Sequence, residues 1–248
     1  MVSRENVIKF INEYLKSETV KDVSQNGLQV EGVSDVKKIV FGVSANMEFF
    51  RRAAAAGADM VVVHHGLLWS DNPVITGVFR RRIEFLIKNN INLCAWHLPL
   101  DMHPAVGNNA QIAQRLGLKN LKPFGEYHGV KIGFCGELKT PLAAGEIEKK
   151  LGLKANIIFN TWKKEIIKIA VVSGGGQGMF FQAEDAGADL FITGSADEFV
   201  QELARETEVN FMALGHYNSE TFGVKALMEI VAKKFKTEVA FIDVANKL

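Results

Sequence analysis

One stretch of this chain occurs twice. Lys38 and Ile39 with Phe50, Ala53, Ala56, Gly57, Ala58 and Asp59 return, without a gap, 130 residues later as Lys168, Ile169, Phe180, Ala183, Ala186, Gly187, Ala188 and Asp189. Each copy reads as a strand, a turn holding glycine or serine, a helix, the tripeptide Gly-Ala-Asp and a second strand, MVVV in the first copy and LFIT in the second. Gly-Ala-Asp before a buried strand is also a common helix stop, because glycine readily takes the left-handed conformation that ends helices. Eight identities in the 22 positions from 38 to 59 favour shared ancestry over that explanation. The repeat therefore predicts an α/β protein of two related lobes with largely parallel sheets. We place the first lobe at residues 1–125 and the second at 126–248, with the weakly patterned stretch 122–128 as the crossover.

Histidines collect where the predicted strands end. Val61-Val62-Val63-His64-His65-Gly66 is an apolar β-branched run, the pattern of a buried parallel strand, closed by two adjacent histidines. Ligands in open α/β sheets gather at such ends. Side chains i and i+1 diverge along a strand, so His64 and His65 are expected to face different ions. His97 to Asp101 follows the apolar run 91–96, and His216 to Glu220 follows the run 209–215. Each is a histidine four residues before a carboxylate, and mixed nitrogen and carboxylate donors suit a divalent transition ion. A single histidine at a strand end is ordinarily just hydrogen-bonded structure. Four of the six histidines in three similar settings argue for a metal site. If the lobes face each other about a pseudo-twofold axis, these ends converge on one cleft. His103 and His128 have no carboxylate at a useful spacing and read as structural.

VVVHHG, HLPLD followed by Gly107-Asn108, TGSADE and GHYNSETFG, in that order, resemble the Nif-three-like family of dinuclear metal proteins, some of which carry the name GTP cyclohydrolase type-two homologue. The resemblance covers essentially the whole chain. It implies two α/β lobes with two metal ions in the cleft between them, held by His64, His65, Asp101, His216 and Glu220. On that pattern Glu220 bridges, His65 and Asp101 hold one ion, and His64 and His216 hold the other. Short members resemble ring-shaped homohexamers, and 248 residues leave no room for the mid-chain domain of longer relatives.

Composition narrows the partners. A net charge of +1 gives no electrostatic reason to expect nucleic acid or an anionic membrane. Met1 leads into an amphipathic charged helix rather than a signal peptide, and no apolar run approaches bilayer length, which points to the cytoplasm. Cys94 and Cys135 lie in apolar stretches and read as reduced core residues. The periodicity predicts helices over 4–15, 79–89, 109–116, 142–151 and 222–235, and strands over 129–138 and 238–244. Ser173-Gly174-Gly175-Gly176-Gln177-Gly178 lacks full P-loop or dinucleotide spacing and reads as a tight turn, the alternative being a phosphate cradle. Arg80-Arg81-Arg82 reads as a solvated helix face.

Five protein ligands leave positions open on two ions for water or hydroxide, unlike a closed structural site. The expected function is a metal-dependent hydrolase of the cyclohydrolase or phosphoesterase type, acting on an unidentified small molecule such as a nucleotide. Two divalent ions per chain are expected, Zn, Mn, Fe or Ni according to supply. His97, outside the ligand set implied by the resemblance but beside Asp101, is the candidate general base, the alternative being that it holds a metal ligand in place from behind. The alternative is a non-catalytic metal-binding or scaffold protein in which the ions organise a ring.

Overall fold

The computed structural model of the chain describes residues 1–69, 73–159 and 165–248, in two compact units. The first comprises residues 1–100 and 224–244; the second comprises 101–223 and 245–248.

The first unit is built on a five-stranded sheet in the order Glu238–Phe241, Lys38–Ser44, Met60–His65, Asn92–Ala95, Gly27–Val30. Its first four strands are mutually parallel and Gly27–Val30 is antiparallel at the edge. Met60, Val61, Val62 and Val63 are all buried, as both faces of a parallel strand require. Phe49, Phe50 and Ala53 of the helix Met47–Ala55 pack onto Val40, Val61, Val63 and Leu93. The helix Arg4–Leu15 starts at Ser3, whose hydroxyl accepts from the Asn6 amide, and buries Val7, Ile11 and Leu15 at its predicted period.

The second unit holds a six-stranded sheet in the order Lys119–Tyr127, Val130–Leu142, Ile166–Val172, Leu190–Thr193, Asn210–Ala213, Ile157–Phe159. Its three central strands, Ile166–Val172 to Asn210–Ala213, run parallel and its flanking strands antiparallel. Ile112, Ala113 and Leu116 of one helix and Ile147 and Leu151 of another cover Ile169, Val171, Ile192 and Met212.

The repeat in sequence is also a repeat in bonding. Asp59 Oδ2 accepts from the amides of Lys37 (2.7 Å) and Lys38 (3.0 Å); Asp189 Oδ2 accepts from those of Ile167 (3.0 Å) and Lys168 (2.9 Å). Gly57 and Gly187 sit at φ 76° and 65°, and the next amide, of Ala58 or Ala188, reaches the carbonyl of Ala53 or Ala183. These are helix stops of the kind glycine permits.

Two local expectations are corrected. Residues 122–128 are not an irregular crossover: Lys119–Tyr127 is an edge strand paired with Val130–Leu142 through a turn at His128-Gly129. Its outer positions are largely exposed, so no apolar alternation marks it, and Pro123 is tolerated at a sheet edge. Leu142 ends that long partner strand rather than starting a helix. The helix begins at Ala144, with the Glu146 carboxylate accepting from the Ala143 amide.

Candidate metal centre

Each unit carries its own set of donors. In the first, the strand Met60–His65 delivers His64 and His65 at its end, and the next parallel strand, Asn92–Ala95, leads through Trp96 to His97. The imidazoles pack closely, with ring centroids 4.6 Å apart for His64 and His65, 5.1 Å for His64 and His97, and 5.7 Å for His65 and His97. One ligand nitrogen from each lies within 4.8 Å of the others.

Their hydrogen bonds decide which nitrogens can bind a metal. His64 is fully buried and its Nδ1 lies 3.0 Å from the Trp96 carbonyl. A carbonyl only accepts, so Nδ1 carries the proton and Nε2 keeps the lone pair of the neutral ring. His97 Nδ1 lies 2.9 Å from Asp22 Oδ1. Burial alone would raise the Asp22 carboxyl, but the hydrogen bond and charge of His97, with Asn26 and the Ser24 amide, outweigh it and hold the pKa at about 2. Asp22 is therefore an ionised acceptor facing Nδ1 of His97. His65 Nδ1 meets the Ser44 hydroxyl at 3.3 Å. Histidine metal ligands characteristically donate their other N–H in this way to a carboxylate or carbonyl.

The loop after His65 is pinned from the edge strand. Gln29 Oε1 accepts from the amides of Leu67 (2.6 Å) and Leu68 (3.1 Å), and the Gln29 amide group lies where any side chain on Gly66 would stand. This is why glycine follows the histidine pair. Trp69 meets His97 edge-on, with centroids 5.1 Å apart.

In the second unit, Asp101 ends the short helix Leu98–Asp101 and is buried. Its Oδ1 accepts from Asn108 Nδ2 (2.8 Å) and the Ser173 hydroxyl (3.2 Å). The strand Asn210–Ala213 leads through Gly215 into the turn His216–Ser219. His216 Nε2 lies 3.3 Å from Glu220 Oε1, the histidine side chain 40% exposed and the carboxylate 4%. The Ser195 hydroxyl lies 3.2 Å from His216 Nδ1.

Gly174, at φ 65°, lies so close that a Cβ there would collide with Glu220 Oε1 and crowd His216 Nε2. The glycine-rich segment thus makes room for the His216 and Glu220 side chains. Part of it, Gly176–Met179, is a single 3₁₀ turn.

The residues fit divalent ions. Imidazoles with imposed tautomers are ready ligands, and buried carboxylates are costly without cations to balance them. His103 Nδ1 accepts from the amides of Ala105 and Val106, a turn-forming role, and His128 lies in the hairpin turn. Cys94 and Cys135 are buried and unbridged, and burial raises both thiol pKa values. Sequence reasoning gave no role around the candidate ligands to Asp22 or Asn26, nor to Asn108 and Ser173, although the last two stand in the quoted motifs. The only signal for Asp22 and Asn26 was their spacing just before Gly27. Among the described residues no helix is long and apolar enough to cross a membrane.

The profile of the family described as Duf34/NIF3 (NGG1p interacting factor 3) matches residues 2–247 of the chain. A protein of Archaeoglobus fulgidus called GTP cyclohydrolase 1 type 2 homolog is 48% identical over 242 residues, 98% of each chain. Among solved structures, protein ybgI, described as of unknown function, aligns at 39% identity and a TM-score of 0.92 over the full length of both chains. TTHA1606 from Thermus thermophilus aligns at 34% identity and a TM-score of 0.90, again over both full lengths.

Proposed function

Since the chain belongs to the Duf34/NIF3 family, we propose that it is a dinuclear divalent-metal protein that works as a metal-dependent hydrolase. His64, His65, Asp101, His216 and Glu220 would hold two ions, of Zn, Mn, Fe or Ni, since donors of this kind discriminate poorly among them. The observation that carries the reading is the close set of His64, His65 and His97, two of them with Nδ1 against a fixed oxygen. Bound divalent ions supply Lewis acidity and bring the pKa of coordinated water towards neutrality. The chain's own contribution is to orient the donors and to accept a proton at His97 Nε2, with Nδ1 already bonded to Asp22. The name of the relatives makes a nucleotide the first substrate class to try. A cytoplasmic homohexamer belongs to the same reading, and light scattering tests it.

Glu220→Gln keeps the side-chain volume but removes a buried negative charge. Elemental analysis should find about two ions per wild-type chain and at least one fewer in the variant, with the circular dichroism of the fold unchanged. A screen of nucleotides, phosphoesters and cyclic amides should find a substrate that wild type hydrolyses and the variant does not. A wild type that holds no metal after reconstitution refutes the dinuclear assignment. Oligomer lost with the metal, and no substrate found, would favour the scaffold alternative.

A further inference from the structure

We propose that Asp22 is the positioning residue of this site: its carboxylate fixes His97 as the Nδ1–H tautomer and so leaves Nε2 as the basic nitrogen beside His64 and His65. This deepens the hydrolase reading, which needs a proton acceptor at His97, but its own test requires no substrate.

The Asp22 carboxylate is committed through both of its oxygens. Its side chain is 1% exposed. Oδ1 accepts from His97 Nδ1 (2.9 Å) and the Ser24 amide (3.1 Å); Oδ2 accepts from the Leu98 amide (2.9 Å) and Asn26 Nδ2 (3.0 Å). Asn26 cannot turn its amide over freely. Its Oδ1 accepts from the His97 amide at 2.8 Å while its Nδ2 also reaches the Ser24 carbonyl at 3.3 Å. One carboxylate and one carboxamide therefore tie the backbone on both sides of the imidazole as well as the ring itself. A purely structural tie needs only the backbone contacts. The ring contact is what selects a tautomer, because the acceptor at Nδ1 leaves the lone pair to Nε2.

The isosteric variant Asp22→Asn separates the two roles. Its NH₂ at the Oδ2 position would face two donors, Leu98 N–H and Asn26 Nδ2. At the Oδ1 position it faces one fixed donor, Ser24 N–H, and a ring nitrogen that can become an acceptor. The second placement is preferred, and it makes Nδ1 accept and moves the ring proton to Nε2.

Neutron crystallography of deuterium-exchanged, chelator-treated protein, at a pH where imidazole is neutral, reads this directly. Wild type should carry its His97 deuteron on Nδ1, and Asp22→Asn on Nε2. A variant that is merely less stable and keeps the deuteron on Nδ1 overturns the proposal. If the variant does not fold, the wild-type map alone decides, since a deuteron on Nε2 there overturns it equally. Failure of the dinuclear reading would show separately, as absence of metal in elemental analysis, and would leave the tautomer result standing.

Discussion

Asp22 keeps its charge inside the protein because donors converge on both of its oxygens, and that arrangement has a consequence for stability. The folded-state pKa of about 2 lies below the ordinary value of 3.8. Its contribution is therefore fully present above about pH 4 and is lost as pH falls towards 2. At 1.36 kcal/mol for each pH unit, the difference corresponds to about 2 kcal/mol. Urea unfolding of chelator-treated wild type and Asp22→Asn should show the wild-type advantage narrowing by about that amount across the window. An advantage that stays constant from pH 4 to pH 2 would show that the carboxyl is not held low in the folded state. The residue also marks how far a sequence can be read. His64, His65 and His216 could be singled out because they follow apolar runs, and Glu220 because it stands four residues after His216. Asp22 lies in the short aperiodic stretch between the first helix and the edge strand Gly27–Val30, where its partner His97 is 75 positions away. Nothing local announces that pairing.

At the scale of elements, the parallel strands were the most legible feature and the antiparallel edges the least. A strand buried on both faces needs an unbroken apolar run, as residues 60–63 show, whereas Lys119–Tyr127 is exposed along most of its length and its pairing is settled by its neighbour. The bonds that both segments make give Gly-Ala-Asp the same work in each. The aspartate closes the turn into its strand by accepting from two consecutive amides at the start of the neighbouring strand. Replacing it hands those exposed or half-buried amides to water, a cost of about 0.5–1.5 kcal/mol. Asp59→Ala and Asp189→Ala should each lower stability by that amount and by similar sizes, measured as shifts in the urea midpoint at constant slope. If only one of them matters, the two carboxylates do not do the same work despite their matching geometry.

At the scale of the whole molecule, the chain passes from one unit to the other at residues 100/101, 223/224 and 244/245, so the first unit is complete only when residues 224–244 have joined it. The strand Glu238–Phe241 supplies the outer neighbour of Lys38–Ser44, 200 positions earlier. The proposed ligands are likewise spread over the chain: His64 and His65 belong to the first unit, and Asp101, His216 and Glu220 to the second. An unfolded chain holds none of these donors in place, so ions bound by the five residues would favour the native state over the unfolded one. Mass action then sets the size of the effect. Free zinc at about 100 times its dissociation constant stabilises by about 2.7 kcal/mol. For a chain of this length that is about 5–10 °C in the thermal midpoint. Zinc-loaded wild type should melt that much higher than the same protein after chelation, and zinc added back should restore the midpoint. Glu220→Gln should show a smaller shift, because a binding site missing one carboxylate holds its ions less tightly in the folded state alone. Protein shown by elemental analysis to have held zinc, yet melting at the same temperature after chelation, would mean that the ions are not bound selectively by the folded donors.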